Sequence, residues 1–232
     1  VTFFRTDMKS YFVDIINLKR HTTNIPFYSV YVKKEEFNPV DYFSGRPRIL
    51  LGNGFAEGDS VNRTPLDFTY RNKFTIEDMH RFLKSLIFPE TQKAKPELTD
   101  EDYAFLYKYM SMYPADSQDP KYSADSYPNN HSKYIFGDKL NPSVKVFNNS
   151  GQDFGFMIDN AYIIDTENGV DFLLTAVVKC NKSNIFGEKY YEYETTGQQF
   201  MKNIGNLILR YEIENKKDGE TPDFNLILNK IK

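Results

Sequence analysis

The sequence predicts an α+β fold in which a C-terminal helix packs on an antiparallel sheet and a helical subdomain precedes that sheet. Between residues 71 and 143, two segments with apolar residues at helical spacing each begin with a threonine that can cap a helix. From Val144 the apolar period changes to two, and after Glu192 it becomes helical again. Helices and strands that occupy separate stretches of a chain are typical of this fold class.

Both helices of the subdomain carry a variant of the capping-box pattern. Thr75 precedes Asp78 by three residues, and Thr99 stands in the same relation to Asp102. A proline closes each segment. The first helix places these apolar residues at helical spacing: Ile76, Met79, Phe82, Leu83, Leu86 and Ile87.

Three strands follow, written VKVFNNS, FGFMIDNAYIID and VDFLLTAVVKC. Glu167-Asn168-Gly169 predicts a tight hairpin between the second and third. The third strand is a nearly continuous apolar run, as expected for a sheet covered on both faces. In the interpretation adopted here, Asn149-Ser150-Gly151 forms a turn after the first, short strand.

The closing helix is expected to lie on the sheet through a broad apolar stripe formed by Phe200, Ile204, Leu207, Ile208 and Tyr211. The chain thus divides into four parts. Residues 1–70 are a loop-rich N-terminal part with a short helix and a short strand, and residues 71–143 are the helical subdomain. Residues 144–213 hold the sheet and the C-terminal helix, and residues 214–232 are a tail.

Composition excludes several classes of function. Lys+Arg 29 against Asp+Glu 32 gives a net charge of -3 without a basic run, which argues against a nucleic-acid partner. No window reaches the roughly 18 apolar residues of a membrane span, and the first residues do not resemble a signal peptide. His21, His80 and His131 are far apart, so neither a metal nor another cofactor is expected. The single cysteine, Cys180, is expected to be buried in the core.

The order of these elements resembles the C-terminal part of class A serine β-lactamases, which belong with the penicillin-binding transpeptidases. Residues 62 to 213 carry the resemblance, in the segments NRTPLDFTYRNKFTIEDMHRFLKSLIFP, LTDEDYAFLYKYM, VFNNSGQDFGFMIDNAYII and ETTGQQFMKNIGNLILRYE. The first looks like the family's Thr-Pro segment and following helix, and the third looks like the strand with Lys-Thr-Gly and the next strand. The resemblance implies an acyl-enzyme mechanism, a bacterial periplasmic or secreted location, and a small-molecule or peptidoglycan-like ligand.

The family's motifs are only partly present. No serine of the chain is followed three residues later by lysine, so no catalytic residue is assigned. Ser60-Val61-Asn62 matches the family's Ser-x-Asn motif but falls at the wrong place in the order of elements. Asn149, Ser150 and Gly151 align with Lys-Thr-Gly and are the candidate substrate-binding residues, with Ser150 expected to hold a carboxylate. Lys145 would lie ~13 Å away along the strand, too far to supply the charge that Asn149 lacks.

Two functions follow from this pattern. In the first, the chain is the C-terminal portion of a β-lactamase-like serine hydrolase and is not catalytically self-sufficient, because the segment that carries the nucleophile would precede it. In the second, it is a non-catalytic binding or scaffolding module derived from that fold. An unrelated α+β binding domain is a third interpretation. Independently of these three, Asn149-Ser150-Gly151 can be a plain strand-end turn in which Asn and Ser serve backbone geometry. We also expect self-association through an exposed sheet edge.

Overall fold

A computed structural model describes residues 48–69, 71, 74–92, 98–137, 140–217, 219 and 222–231. The short helix expected in SYFVDIINLKR and the strand expected over 27–32 lie outside these residues. The described residues belong to two units. Residues 74–182 and 190–231 belong to the larger unit, and residues 48–73 and 183–189 to the smaller one.

The principal helices and strands follow in chain order. The smaller unit contributes β1 (Leu50–Leu51), β2 (Gly54–Glu57), β3 (Ser60–Asn62) and β4 (Leu66–Asp67). The larger unit then contributes α1 (Ile76–Ile87), α2 (Asp100–Ser111), β5 (Val144–Asp153), β6 (Phe156–Asp165) and β7 (Val170–Lys179). The chain continues with β8 (Ile185–Phe186) of the smaller unit and with α3 (Gln198–Glu214) and α4 (Asn225–Leu228) of the larger.

The described part of the smaller unit consists of short strands joined by tight turns. β1 pairs antiparallel with β4, and β2 lies between antiparallel β3 and parallel β8. Gly58 takes the left-handed conformation (φ 61°) that the turn from β2 to β3 requires. The turn residues that predicted a loop here therefore separate strands of two to four residues.

The two predicted helices of the larger unit are confirmed, together with their caps. Thr75 Oγ1 accepts a hydrogen bond from the Asp78 backbone N–H at 3.0 Å. In α2 the exchange is reciprocal, because Thr99 Oγ1 accepts from Asp102 N and the Asp102 carboxylate accepts from Thr99 N at 2.8 Å. These bonds satisfy backbone donors that a helix N-terminus leaves without partners.

The three predicted strands form one antiparallel sheet in the order β5-β6-β7. The expected turn at Asn149-Ser150-Gly151 is wrong, because all three residues lie inside β5 and pair with β6. The turn instead occupies Phe154 and Gly155, whose φ angles of 51° and 81° fit the two-residue hairpin favoured between twisted strands. Asn, Ser and Gly are strong turn formers and Phe is a weak one, which explains the misplaced turn.

Both faces of the sheet are covered. On the front face, Phe147 and Tyr162 pack with Leu83 of α1 and Tyr107 of α2. The C-terminal tail also docks there, because Ile227 of α4 is buried in this cluster. On the back face, β-strand residues pack against α3 and against the irregular segment 133–137, all five residues of which are buried. The burial of this segment was not expected from its place in a long connection.

Helix α3 lies on the back face, but the predicted stripe is not its buried side. Phe200, Leu207 and Tyr211 are 41%, 51% and 57% exposed, while Met201 and Gly205 are buried. The glycine determines the contact, because it lets the helix backbone approach segment 133–137 more closely than a larger residue would. The apolar stripe therefore lies along one flank of the helix.

Replacing Gly205 with alanine is expected to lower the free energy of unfolding by about 1–3 kcal/mol. A Cβ atom at this position would lie 2.4 Å from Ile135 Cγ2, and Ile135 is fully buried and cannot move aside. Alanine gains up to about 1 kcal/mol of helix propensity over glycine, which offsets only part of the clash. Urea unfolding followed by circular dichroism measures the difference.

Asn206→Ala is the matched control for this substitution, since Asn206 is exposed on the same helix and the change also improves helix propensity. We expect its unfolding free energy to stay within about 0.5 kcal/mol of the native value. A Gly205→Ala protein as stable as the control would contradict the close packing of α3 on Ile135.

Candidate functional site

The three candidate residues lie in the middle of edge strand β5. Asn149, Ser150 and Gly151 pair with Asn160, Asp159 and Ile158 of β6. Side chains alternate along a strand, so Asn149 projects to the front face with Phe147, whereas Ser150 projects to the back face. Asn149 is exposed, and Ser150 is half-buried. The two polar side chains of the triplet therefore serve opposite faces of the sheet.

The backbone of β5 offers hydrogen-bonding groups on its outer edge. Because the turn has two residues, Asp153 and Phe156 form a hydrogen-bonded pair of the ladder. Hydrogen-bonded and non-hydrogen-bonded pairs alternate along antiparallel strands, so the backbone N–H and C=O groups of Ser150 and Gln152 point away from β6. Val144, another even-numbered residue of β5, agrees with this pattern, because its backbone N–H donates to the Asn141 carbonyl at 2.9 Å and not to β6. Within the described part of the larger unit, β6 is the only strand beside β5.

The Ser150 hydroxyl is engaged inside the protein. Ser150 Oγ donates to the Ser132 carbonyl oxygen at 2.7 Å. The expectation that Ser150 holds a substrate carboxylate therefore conflicts with this geometry, since the hydroxyl has no second proton to donate.

Ser150 belongs to a buried polar network that ties segment 132–135 to the back of the sheet. Asn148 Nδ2 lies 2.7 Å from both the Ser132 carbonyl and Asp159 Oδ1. Asp159 Oδ2 accepts from the Ile135 backbone N–H at 3.0 Å. Lys133 Nζ donates to Asn148 Oδ1 at 2.6 Å and to the Met110 carbonyl. An irregular buried segment needs such partners, because its backbone polar groups cannot reach water.

Two opposite charges sit in this network, and both are fully shielded from solvent. Burial raises the pKa of Asp159 to about 6, against the hydrogen bonds from Ile135 and Asn148 and the charge of Lys133. Burial lowers the pKa of Lys133 to about 8, against the charges of Asp159 and Asp116. At neutral pH both groups are therefore ionised, with Asn148 bridging them.

The network contains a buried lysine but not an activated serine. Lys133 Nζ donates to an amide oxygen and to a backbone carbonyl, and it lies 5.8 Å from the centre of the Tyr113 ring. Activation of a hydroxyl requires a base within hydrogen-bond reach of its proton. Ser150 gives its proton to a carbonyl, which is not a base of that kind. For Ser150, the chemistry of this arrangement is therefore positioning, and not nucleophilic attack.

A second polar chain joins α1 to the front of the sheet. Asn160 Nδ2 donates to the Met79 carbonyl at 3.0 Å, so its Oδ1 accepts the Thr175 hydroxyl proton at 2.6 Å. Thr175 Oγ1 must then accept from His80 Nδ1, 2.9 Å away, which assigns the Nδ1–H tautomer or the doubly protonated ring. His80 thus positions a helix on the sheet. Among the described residues, no group of three or more His, Cys, Asp and Glu could hold a metal ion.

The Ser60-Val61-Asn62 triplet has local roles in the smaller unit. Ser60 Oγ donates to the Glu57 carbonyl at 3.0 Å across the turn between β2 and β3. Asn62 Oδ1 accepts from both the backbone N–H and the hydroxyl of Thr64. These contacts account for both polar residues of the triplet without a catalytic role.

Sequence reasoning missed Lys133, Asn148 and Asp159. One signal was available, because Asp159 and Asn160 interrupt the apolar residues of the strand, and a buried carboxylate requires partners. The identity of those partners was not accessible, since Lys133 and Asp159 are brought together only by the packing of segment 133–137 on the sheet.

Comparison of the chain with protein-family models, with curated proteins and with solved structures found no match. Among the residues that the structure describes, none of the helices has the length and apolarity needed to cross a membrane.

Proposed function

We propose that this chain is the sheet-bearing portion of a β-lactamase-like serine hydrolase and that the outer edge of β5 is the wall against which an acyl substrate binds. The nucleophile must come from residues outside this sequence, because none of the 232 residues completes a Ser-x-x-Lys motif. On the same resemblance we propose a bacterial periplasmic or secreted location and a small-molecule or peptidoglycan-like ligand.

The observation that carries this proposal is the position of Asn149-Ser150-Gly151 within an edge strand. The backbone N–H and C=O of Ser150 and Gln152 point away from β6 and can pair with an extended, peptide-like ligand. Gly151 leaves room for a ligand to approach the strand closely, because it has no side chain. The buried network beneath Ser150 holds this part of the edge in place.

The side chains of the wall favour neutral ligand groups over carboxylates. Asn149 carries no charge, and the Ser150 hydroxyl donates to Ser132. At Asn149 a ligand carboxylate would meet an uncharged side chain, and neutral groups bind anions more weakly than a cation does. We therefore expect weak, reversible binding of carboxylate-bearing β-lactams.

A non-catalytic binding or scaffolding module is the second candidate, and the absence of Ser-x-x-Lys together with the neutral Asn149 favours it. Both candidates share the ligand wall at β5, so binding alone does not separate them. The reading frame upstream of Val1 does: a Ser-x-x-Lys motif there supports the hydrolase, and a frame without one supports the binding module.

Binding of a fluorescent penicillin tests the wall, with anisotropy for affinity and a denaturing gel for covalent labelling. The native chain is expected to give no covalent band, because none of its serines is followed three residues later by a lysine that could activate it. Asn149→Lys is expected to tighten reversible binding about 3- to 10-fold, since it returns a cation to the position that faces the ligand carboxylate.

Gln152→Lys is the matched control, because it adds the same charge at another exposed position of β5 but on the back face of the sheet. We expect its affinity to equal that of the native chain. Covalent labelling of the native chain, or equal responses of the two lysine variants, would overturn the proposal.

A further inference from the structure

The buried network behind β5 brings an amine, an amide and a carboxyl group into contact. Lys133, Asn148 and Asp159 are 1%, 8% and 0% exposed. Lys133 Nζ lies 2.6 Å from Asn148 Oδ1, and Asn148 Nδ2 lies 2.7 Å from Asp159 Oδ1. The amide carbon of Asn148 therefore has an amine on one side and a carboxyl group on the other, away from solvent.

The orientation of the Asn148 amide suits substitution at its carbonyl carbon. The two protons of Nδ2 go to the Ser132 carbonyl and to Asp159 Oδ1, so Oδ1 of the amide faces the lysine. The carbonyl bond is about 1.2 Å long, which places Lys133 Nζ within about 4 Å of Asn148 Cγ. Atoms poised to react are typically about 3–3.5 Å apart. A small movement of the side chain therefore brings the amine to the amide carbon.

The lysine is held in place and can lose its charge. Lys133 Nζ also donates to the Met110 carbonyl in the last turn of α2, which fixes the end of the side chain beside Asn148. An ammonium group has no lone pair, so only the neutral amine is a nucleophile. Burial favours the neutral amine by lowering the pKa of Lys133 to about 8, against the charges of Asp159 and Asp116.

Asp159 is placed to donate a proton to the leaving nitrogen. Burial raises the pKa of its carboxyl group to about 6, so the protonated form is more accessible than for an ordinary aspartate. Transfer of one proton from Lys133 to Asp159 gives the neutral amine and neutral carboxyl group that attack on an amide requires. Between pH 6 and 8 roughly one molecule in a hundred holds this neutral pair. Any reaction through it is therefore slow, and freshly prepared chain is mainly unreacted.

We propose that Lys133 Nζ attacks Asn148 Cγ and that the chain thereby crosslinks itself through an amide bond between the two side chains. The new C–N bond forms as the carbonyl oxygen of Asn148 takes up negative charge. Asp159 then gives its proton to Nδ2, the bond between Cγ and Nδ2 breaks, and ammonia leaves. The new amide nitrogen returns its surplus proton to Asp159. The carboxyl group is thus regenerated, and the reaction consumes no second reagent.

The crosslink fixes segment 132–135 on the back of β5. Lys133 and Asn148 are 15 positions apart, and their bond closes a loop that includes the start of the strand. Such a bond restricts the unfolded chain as a disulfide does, and it does not depend on redox conditions. The crosslink is independent of the proposed hydrolase function, because all three reacting groups belong to this chain.

Intact mass spectrometry of the denatured chain tests the proposal, at intervals over several days of incubation of the folded protein at pH 7. The native chain is expected to become lighter by one molecule of ammonia. Tandem mass spectrometry of a digest is expected to show one branched peptide that joins Lys133 to Asn148. Asp159→Asn is expected to slow the change at least ~100-fold, because an amide cannot supply the proton.

Lys145→Met is the matched control for Lys133→Met, because Lys145 is an exposed lysine of β5. We expect the control to lose ammonia at the native rate and Lys133→Met to keep its full mass. Circular dichroism checks that each variant is folded, and the native mass and branched peptide decide the outcome if one is not. A native chain that keeps its full mass would overturn the proposal. So would ammonia loss that maps to another asparagine, such as Asn168, or a folded Asp159→Asn chain that reacts at the native rate.

Discussion

Replacing Asp159 with alanine is expected to lower the free energy of unfolding by about 3–5 kcal/mol at pH 7. The carboxylate accepts hydrogen bonds from the Ile135 backbone N–H and from the Asn148 side chain, and it balances the buried charge of Lys133. Without it, two buried donors lose their acceptor and a shielded ammonium loses its counter-charge. Urea unfolding followed by circular dichroism measures the loss.

Asp125→Ala provides the control for this substitution, because Asp125 is exposed in the connection between α2 and β5. We expect that change to stay within about 0.5 kcal/mol of the native chain. Lys133→Met should also be destabilising, because it leaves Asp159 as the uncompensated charge of the pair. An Asp159→Ala chain as stable as Asp125→Ala would show that the network does not hold segment 132–135 on the sheet.

The elements with local signals could be predicted from the sequence. The caps at Thr75 and Thr99 depend on residues three positions apart, and the strands depend on apolar patterns within about ten consecutive residues. Such signals do not require knowledge of the rest of the molecule. The α+β class follows directly from them.

The errors arise where tertiary packing overrides local preference. Asn149-Ser150-Gly151 has turn-forming residues, yet pairing with β6 over ten residue positions extends the strand past it. The apolar stripe of α3 has the predicted helical spacing, but it is not the side on which the helix packs. The helix packs closely on the side of Gly205. An apolar stripe identifies a surface to be buried, and it does not identify what buries it.

The structural surroundings of the candidate triplet were not predictable from the sequence. The triplet was located from its likeness to Lys-Thr-Gly, whereas the engagement of the Ser150 hydroxyl depends on Ser132, which is 18 residues away in the chain. Nothing in the sequence signals that segment 132–135 returns to the back of β5. The same return brings Lys133 to Asn148 and so creates the buried charge pair.

That charge pair predicts an unusual dependence of stability on pH. The folded pKa of Asp159, about 6, lies above the ordinary value of about 3.9, so its contribution to stability is complete below pH ~4 and is lost as pH rises through 6. The folded pKa of Lys133, about 8, lies below the ordinary value of about 10.4. Its contribution is complete above pH ~10 and is lost as pH falls through 8. The two groups together make the pair least favourable between pH 6 and 8.

Each shift of about 2 pKa units corresponds to a change on the order of 3 kcal/mol in the free energy of unfolding. Because other groups titrate over the same range, the informative quantity is the difference between the native chain and Lys133→Met at each pH. That difference should grow in favour of the native chain from pH 8 to 10, since only the native chain relieves a buried cation there. Chemical unfolding at one-unit steps from pH 5 to 10 measures it, and a difference that does not change above pH 8 would contradict a buried, charged Lys133.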